Sequence, residues 1–203
     1  KRAKDALRSS NERLELLATV AERLLRAEDP QKIVDDLCRL VMARLDCQLF
    51  FNYLVEVPGR RLSLNAFAGI PAEAAAAIQR LDFGVAVCGC VARDGQRTIA
   101  EDIQHSENRL TELVKSYGAQ AYCCHPLLAQ GEVIGTLSFG TRTRPAFTAD
   151  EVALMKSVAD QIAVAMQRVL AEQALRQLAQ FPDKNANVVL QVGADESLVY
   201  ANA

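Results

Sequence analysis

The segment Ala119–Gly140, AQAYCCHPLLAQGEVIGTLSFG, decides the fold. Its first part, up to Leu128, is mostly apolar, and its last part, Val133–Gly140, is rich in branched and aromatic residues with few charges. Such a composition is typical of strands that are covered on both faces. Gly131 lies between the two parts and can adopt the positive φ that a tight turn requires. The segment therefore predicts a buried hairpin at the centre of a sheet.

Two helices are predicted at the start of the chain, and the first is expected to dimerise. Residues 1–27 contain no glycine or proline, and apolar residues recur there at heptad spacing, namely Leu7, Leu14, Leu17, Ala21 and Leu24. A stripe this narrow favours a coiled-coil dimer, although packing on its own domain alone stays an alternative. Asp29 and Pro30 suit the start of a second helix, which apolar periodicity extends over residues 31–45.

Alternating apolar residues predict the other strands that join the hairpin. Residues 47–57 and 61–68 form a hairpin pattern around Pro58-Gly59-Arg60, and residues 97–100 form a short strand. Short helices are expected between these strands and the central hairpin, at residues 71–79, 85–93 and 107–116.

A long helix follows the central hairpin and leads to a second, short unit. Thr148 and Glu151 have the spacing of a capping box, and no helix-breaking residue follows before Pro182. At about 1.5 Å per residue, a helix of about 30 residues is longer than a small domain needs, so its last part is expected to project. Residues 187–191 and 198–200 then predict two strands of a unit that is too short to have its own core.

Composition excludes several classes of function. The 203 residues include 23 Lys and Arg against 25 Asp and Glu, so there is no electrostatic case for binding nucleic acid or an anionic membrane. No apolar run approaches the ~20 residues of a membrane span, and the charged N-terminal segment does not fit a signal peptide. The six cysteines lie in apolar stretches, which favours a reducing compartment, and we expect a cytoplasmic protein.

Several segments occur in the order in which GAF domains carry them: Gly84–Gly89 (GVAVCG), Ile99–Ile103 (IAEDI), Tyr117-Gly118, His125–Leu128 (HPLL), Gly131–Leu137 (GEVIGTL) and Phe147–Glu151 (FTADE). Together with the order of helices and strands, they make residues 29–168 resemble a GAF domain. The resemblance implies an α+β fold, in which a central antiparallel sheet carries helices on one face and a small-molecule pocket on the other. Long N- and C-terminal helices of the coiled-coil type flank this fold, and the last segments resemble the first strands of a PAS domain.

The predicted division is a dimerisation helix over residues 1–28, a GAF core over 29–147, a signalling helix over 148–180 and a truncated PAS domain over 181–203. Such GAF domains occur in bacterial sensor histidine kinases and cyclic-di-GMP regulators. The resemblance therefore implies a non-catalytic homodimeric sensor that binds a small molecule or senses redox state, and signals through its helices to an output domain of the same chain. A dimerisation scaffold without a ligand and an enzyme of the methionine sulfoxide reductase type are the alternatives.

The candidate ligand-pocket residues are aromatic, sulfur-containing and polar residues near the predicted sheet, namely Tyr53, Phe67, Cys88, Cys90, Asp102, Tyr122, Cys124, His125 and Phe139. Phytochrome-like GAF domains hold a bilin through a Cys-His pair on the helix before the penultimate strand. Here Cys124-His125 lies on the strand itself, so no covalent bilin is expected. Cyclic-nucleotide-binding GAF domains carry an Asn-Lys-Phe-Asp-Glu signature that this sequence lacks. The ligand and any cofactor therefore stay unidentified.

Metal binding depends on how the cysteines are arranged. Cys88 and Cys90 would lie about 160° apart around a helix, and strand alternation puts Cys123 and Cys124 on opposite faces. The best available set is Cys123 and His125 with one helix cysteine such as Cys88, which would leave a zinc ion with an open position. We expect no metal and interpret the cysteines as small buried apolar residues. A redox-sensing thiol is the alternative, and it requires a lowered pKa.

Overall fold

The structure is a computed structural model that describes the backbone of residues 2–27, 30–56, 60–184, 190–192 and 198–201. It contains two compact units, Lys1–Met166 and Gln167–Ala203. The elements of the first unit are α1 (Arg2–Arg26), α2 (Pro30–Leu45), β1 (Leu49–Glu56), β2 (Arg61–Ala68), α3 (Ala72–Ala77), β3 (Arg80–Asp82), α4 (Ala86–Asp94), β4 (Thr98–Ala100), α5 (Glu112–Ser116), β5 (Ala121–Ala129) and β6 (Glu132–Thr141). Helix α6 (Ala149–Lys184) begins in the first unit and ends in the second, which also contains the antiparallel strands β7 (Leu190–Val192) and β8 (Leu198–Ala201).

Six strands form one antiparallel sheet in the order β3-β2-β1-β6-β5-β4. β5 and β6 pair along their whole length, which confirms the predicted hairpin. Gln130 and Gly131 form its turn, with φ angles of 52° and 84°. Strand β6 lies between β1 and β5, and its residues from Gly135 to Thr141 are buried. The composition of this segment therefore predicted its central position correctly.

Helices cover both faces of the sheet. On one face α1, α2 and α6 form a layer in which Val20, Leu37 and Met155 pack with Leu137 of β6. On the other face, residues of the short helices α3, α4 and α5 share a second core with Tyr122 of β5. The predicted α+β fold is confirmed. The prediction that helices occupy only one face is incomplete, because the short helices close the face on which we expected a pocket.

The apolar residues of α1 face two directions. Leu16, Val20 and Leu24 are spaced four residues apart and are buried in the core of the helix layer. Leu14 lies on another side of α1 and is 60% exposed. The predicted heptad seam is therefore divided, because Leu24 packs within its own chain, and the side chain of Leu7 lies outside the described residues. Dimerisation through this helix stays a prediction.

Strand β3 is an element that sequence patterning missed. It has three residues, too few to show the alternation by which strands are recognised. It forms because it pairs with β2, where Arg61 and Asp82 are cross-strand partners joined by an ion pair of 2.6 Å. A strand whose stability depends on its neighbour leaves little signal in its own sequence.

Two predicted helices have different bounds in the structure. The segment 107–116 is helical only from residue 109, because the side chain of Asn108 caps a 3-10 turn that precedes α5. Helix α6 extends to Lys184, beyond the predicted end at residue 180. Part of the first strand predicted after it, residues 187–189, lies outside the described residues. In the described part of the chain, no helix combines the length and apolar character needed to cross a membrane.

Candidate functional site

The approach of α4 to the sheet determines the geometry of the candidate site. This helix contains Gly89. The carbonyl oxygen of Gly89 accepts a hydrogen bond from Gly84 N at 2.8 Å, which ties the helix to the loop before it. A Cβ atom at position 89 would lie 2.5 Å from the carbonyl oxygen of Asp82. Only glycine therefore allows the helix to lie this close to the β3 end, and the close packing carries Cys88 onto the middle of the sheet.

Cys88 meets four buried polar side chains there, and we call these five residues the sulfur–hydroxyl cluster: Cys88, Tyr122, Cys124, Thr136 and Ser138. The Cys88 Sγ atom lies 3.3 Å from Tyr122 Oη, 3.7 Å from Ser138 Oγ and 3.8 Å from Cys124 Sγ. The cluster brings α4 together with β5 and β6, the two consecutive strands of the central hairpin, which lie well after α4 in the chain. The side chains packed around the cluster are mostly apolar.

The hydroxyl groups of this cluster are unequally satisfied. Tyr122 Oη donates to Ser138 Oγ at 2.6 Å, and Ser138 Oγ donates to the carbonyl oxygen of Phe51 at 3.0 Å. Thr136 Oγ1 is buried and has no hydrogen-bond partner. A buried hydroxyl without a partner costs free energy, so such groups often mark places where something else binds or reacts.

The two cluster thiols differ in acidity. A hydrogen bond from Cys124 lowers the pKa of Cys88 despite its burial, and the nearby hydroxyls of Tyr122, Ser138 and Thr136 lower it further. Burial raises the pKa of Cys124, and the hydrogen bond to Cys88 raises it as well. Hydrogen bonds to Cys88 stabilise its thiolate, so this sulfur is the one that deprotonates first.

A small cavity adjoins the cluster. Its walls include Phe51, Tyr53, Val87, Val114 and the cluster residues Cys88 and Tyr122, and its volume is about 10 Å³. That is close to the least space in which one water molecule fits. Tyr53 closes one side by donating a hydrogen bond from Oη to the carbonyl oxygen of Ile78 at 3.0 Å. A larger ligand would enter only if the short helices moved outward.

Comparison with protein-family models decides the family. The family model described as "GAF domain" matches residues 27–167, which is more than half of the chain. The chain belongs to the GAF domain family. The resemblance inferred from the sequence segments is thereby confirmed, whereas the kinase or cyclase context and the PAS domain stay predictions. A search of curated proteins finds no match to this GAF domain.

Solved structures share the fold of this GAF domain. The free methionine-R-sulfoxide reductase from Neisseria meningitidis, solved with its substrate, has a TM-score of 0.67 and 18% identity over 80% of this chain and 91% of that one. The GAF domain of a phosphoenolpyruvate-protein phosphotransferase from Coxiella burnetii gives 0.67 and 17%, over 80% and 96%. A methyl-accepting chemotaxis protein gives 0.64 and 19%, over 76% and 99%. At these identities the similarity shows the fold alone.

The GAF fold brings some of the predicted pocket residues together. Tyr53, Cys88, Tyr122 and Cys124 lie on the face covered by the short helices, and Phe67 packs against the same core. Cys90 is on the same helix as Cys88. Its Sγ atom, however, lies 3.3 Å from the carbonyl oxygen of Gly84, to which it donates a hydrogen bond. Cys90 is therefore held by the loop before α4 and is not part of the cluster.

Three other predicted pocket residues lie elsewhere. Phe139 belongs to the core of the helix layer, where its ring centroid is 6.4 Å from that of Phe50. His125 follows Cys124 on β5 and therefore points to the opposite face, as strand alternation requires. Asp102 is at the surface, where one carboxylate oxygen is 2.7 Å from His105 Nδ1. None of the three belongs to the sulfur–hydroxyl cluster.

The candidate metal ligands do not form one site. Cys123 Sγ and His125 Nε2 are 3.4 Å apart, as alternation predicted. Cys88, however, packs against Cys124 on the other face of the sheet. Within the described residues there is no group of three His, Cys, Asp or Glu residues placed to hold a metal ion. Burial and the nearby guanidinium of Arg97 lower the pKa of His125 to about 4, so this imidazole is neutral at physiological pH.

Sequence reasoning missed two members of the cluster, Thr136 and Ser138. Both lie in the VIGTLSFG segment, which we interpreted through its apolar residues alone. Alternation along that strand places the two hydroxyls on the same face. The pairing of Cys124 with Ser138 across the hairpin would have identified this face as the one that carries polar side chains.

Proposed function

We propose that this GAF domain is a regulatory sensor in signal transduction, and that its stimulus acts on the sulfur–hydroxyl cluster and the adjoining cavity. GAF domains are generally regulatory modules that sense small molecules. The observation that carries the proposal is the burial of three hydroxyls and two thiols at the centre of one sheet face. Polar groups in a core reduce stability unless they are fully paired, and Thr136 is not paired. Departures of this kind from good core packing are expected at functional sites.

The stimulus is either a small molecule that displaces the short helices or a change in the redox state of the thiols. A small-molecule ligand requires an opening, because the cavity of about 10 Å³ is too small for it. The covering elements suit such a movement, since α3 has six residues and α5 has five. Helices this short are marginally stable by themselves and depend on the contacts that a ligand would replace.

The path to an output runs through one strand of the sheet. Ser138 of β6 belongs to the cluster, and its neighbours Leu137 and Phe139 face the opposite core, which also contains Met155 and Ile162 of α6. A shift of β6 caused at the cluster therefore acts directly on residues that support α6. The sensor would work by binding its stimulus differently in two arrangements of this helix.

We further propose that the flanking helices form a parallel homodimer and connect the sensor to an output domain in the same chain. Leu14 of α1 is 60% exposed and Val164 of α6 is 66% exposed. Exposed leucine and valine on long helices are suited to a helix-to-helix contact with a second copy. Strands β7 and β8 support the start of a PAS domain, and the whole protein would then be a histidine kinase or a cyclic-di-GMP regulator of the bacterial cytoplasm.

Native mass spectrometry and thermal shift measurements test ligand sensing. We expect the purified 203-residue protein to retain a small molecule, or to be stabilised by a compound from a panel of cyclic nucleotides, amino acids and sulfoxides. The affinity for the stabilising compound should be about tenfold lower in Tyr122→Phe and unchanged in Tyr117→Phe, because only Tyr122 belongs to the cluster. A cavity that stays empty with every compound would favour the dimerisation scaffold.

A second candidate is an enzyme of the methionine sulfoxide reductase type. It is favoured by the sulfur–sulfur distance of 3.8 Å and by the similar fold of the Neisseria meningitidis reductase. Incubation with free methionine sulfoxide and dithiothreitol decides the matter. Sustained formation of methionine, lost in Cys88→Ser, would replace the sensor proposal, and the absence of turnover would remove the enzyme candidate.

A further inference from the structure

We propose that Cys88 and Cys124 form a dithiol that small hydroperoxides oxidise to an internal disulfide bond. The inference rests on the proposed sensor role of the same site and specifies its stimulus. Its chemistry requires neither a retained ligand nor an output domain, so it can be measured independently of both.

The geometry places two sulfur atoms in contact from opposite sides of the cluster. Cys88 comes from α4 and Cys124 from β5, and their Sγ atoms are 3.8 Å apart although the residues are 36 positions apart in the sequence. A disulfide requires a separation of about 2.05 Å, so the sulfurs must approach by roughly 1.8 Å. Rotation of the two side chains and a small shift of α4 can supply this movement.

Other cysteines near the site are directed elsewhere. Cys90 Sγ donates a hydrogen bond to the carbonyl oxygen of Gly84. Cys123 lies on the opposite face of β5, where its Sγ atom contacts His125. Cys124 is therefore the thiol that is placed to react with Cys88.

The surroundings of Cys88 favour it as the sulfur that attacks the peroxide. The Cys124 thiol donates to Cys88 Sγ at 3.8 Å, and Tyr122 Oη, which lies 3.3 Å from Cys88 Sγ, can turn its single O–H from Ser138 to a Cys88 thiolate. Thr136 Oγ1 is fully buried beside the two sulfurs and makes no hydrogen bond of good geometry in the reduced protein, although its nearness helps to lower the pKa of both thiols. Its hydroxyl can donate to a thiolate or to the oxygen of a sulfenic acid. The hydroxyls thus stabilise the two charged or polar states through which the reaction passes.

The reaction proceeds in two balanced steps. The Cys88 thiolate attacks one peroxide oxygen, the O–O bond breaks, and the alkoxide or hydroxide that leaves takes up a proton, so that Cys88 becomes a sulfenic acid. The Cys124 thiol then loses its proton and attacks the Cys88 sulfur. The S–O bond breaks, and the hydroxide that leaves takes up that proton and becomes water. In total, two thiols lose two electrons to one peroxide, which yields one disulfide and two waters from hydrogen peroxide, or one disulfide, one alcohol and one water from an organic hydroperoxide.

The cavity beside Cys88 sets the size of the oxidant. Its volume of about 10 Å³ suits a molecule of the size of water, and hydrogen peroxide is only slightly larger. A bulky peroxide would need a wider opening of α3, α4 and α5. We therefore expect tert-butyl hydroperoxide to react at least tenfold more slowly than hydrogen peroxide.

Mass spectrometry of the whole 203-residue protein tests the proposal. The reduced protein is exposed to hydrogen peroxide, unfolded, alkylated and digested with trypsin. The bond is mapped in the variant Cys90→Ser/Cys123→Ala, because each of the two relevant tryptic peptides then contains one cysteine. We expect a bond between residues 81–93 and 116–142, loss of two alkylated thiols, and full reversal by dithiothreitol.

Two single variants separate the steps. In Cys124→Ser the Cys88 sulfenic acid should accumulate and react with dimedone once the protein is unfolded in its presence, because dimedone is too large for the cavity of about 10 Å³. In Cys88→Ser the loss of thiols should be much slower than in the wild type. Thermal melting of both variants checks that they fold. The proposal is overturned if Cys88→Ser is oxidised as fast as the wild type. It is also overturned if the folded wild type keeps all its thiols under conditions in which the urea-unfolded chain loses them.

Failure of this test would leave the sensor role intact, since a ligand could still bind and stabilise the domain. Conversely, an oxidised protein whose α6 shows unchanged hydrogen exchange would retain the disulfide chemistry but contradict signalling through that helix.

Discussion

Tyr122 donates a hydrogen bond to Ser138 across a distance of 2.6 Å, at the centre of the sheet face that lies beneath α4. Ser138 in turn donates to the Phe51 carbonyl oxygen at 3.0 Å, so the contacts connect β5, β6 and β1. The side chain of Ser138 is thus the polar link between three neighbouring strands in a region that excludes water. This relationship makes the cost of losing one hydroxyl predictable.

We expect Ser138→Ala to lower the free energy of unfolding by about 1–3 kcal/mol, because the Tyr122 hydroxyl loses its acceptor while it stays buried. The control is Ser116→Ala, which removes an exposed hydroxyl that donates to the carbonyl oxygen of Leu113 at 2.7 Å. Urea unfolding of the two variants measures the difference. Equal losses in both variants would show that the buried hydrogen bonds of Ser138 contribute no more than surface ones.

Gly89→Ala tests the close approach of α4 to the sheet. The added Cβ atom would lie 2.5 Å from the Asp82 carbonyl oxygen, so we expect a loss of about 3 kcal/mol from overpacking. Gly131→Ala is the matched control. It would meet no atom within 4 Å and would retain only the strain of a positive φ, which costs about 1–2 kcal/mol. A larger loss of unfolding free energy for Gly131→Ala would contradict the proposed role of Gly89.

The start of α6 depends on a capping box, and Thr148→Ala tests it. Glu151 N donates to Thr148 Oγ1 at 3.3 Å, and Thr148 N donates to a carboxylate oxygen of Glu151 at 2.8 Å. Removal of the hydroxyl should cost about 1 kcal/mol and lower the melting temperature. Thr148→Ser keeps the hydroxyl and should melt close to the wild type; similar melting of both variants would contradict the cap.

His125 predicts a loss of stability in mild acid. Burial and the nearby Arg97 lower the pKa of His125 in the folded protein to about 4. Two residues of α6 also act on it, since Lys156 lowers this pKa further and Asp160 raises it. In the unfolded chain the pKa of His125 has its ordinary value near 6.5. Because the folded pKa is the lower one, the unfolded state binds the proton first as the pH falls. The resulting loss of stability begins near pH 6.5 and reaches up to about 3 kcal/mol near pH 4.

The pH effect is measured by urea unfolding of wild type and His125→Gln between pH 7 and pH 4. The difference in unfolding free energy between the two proteins should change by up to about 3 kcal/mol over this range. His105→Gln is the control, because its imidazole is 79% exposed. A difference that stays constant with pH would mean that His125 is protonated equally in the folded and unfolded states.

Two leucines of α1, two positions apart, separate dimerisation from folding. Leu14 is 60% exposed and Leu16 is 8% exposed. We expect Leu14→Glu to give a folded monomer in light scattering, because it places a charge on the proposed dimer surface. Leu16→Glu should unfold the domain, because it buries an unpaired carboxylate. A Leu14→Glu protein that remains a dimer would place the dimer contact elsewhere.

Local sequence patterns were sufficient to predict helices that bury a continuous apolar stripe and strands that are buried along their whole length. They predicted the β5–β6 hairpin, the start of α6 at its capping box, and α2. They failed for β3 and for the segment before α5, whose conformations depend on a neighbouring strand and on the side chain of Asn108. They also assigned His125 and Phe139 to the pocket, because residue type was given more weight than strand alternation.

The amino-acid sequence by itself determined the central hairpin and the separation of Cys123 from Cys124, because these follow from hydrophobic pattern, turn residues and alternation along a strand. It also identified the GAF fold, through the resemblance of its ordered segments to that family. Only the tertiary structure decided that Cys124 meets Cys88, that Ser138 and Thr136 join them, and that the pocket face is closed. Those contacts arise because α4 approaches β5 and β6 across Gly89. The distance of that approach depends on the packing of residues far apart in the chain, and no local pattern encodes it.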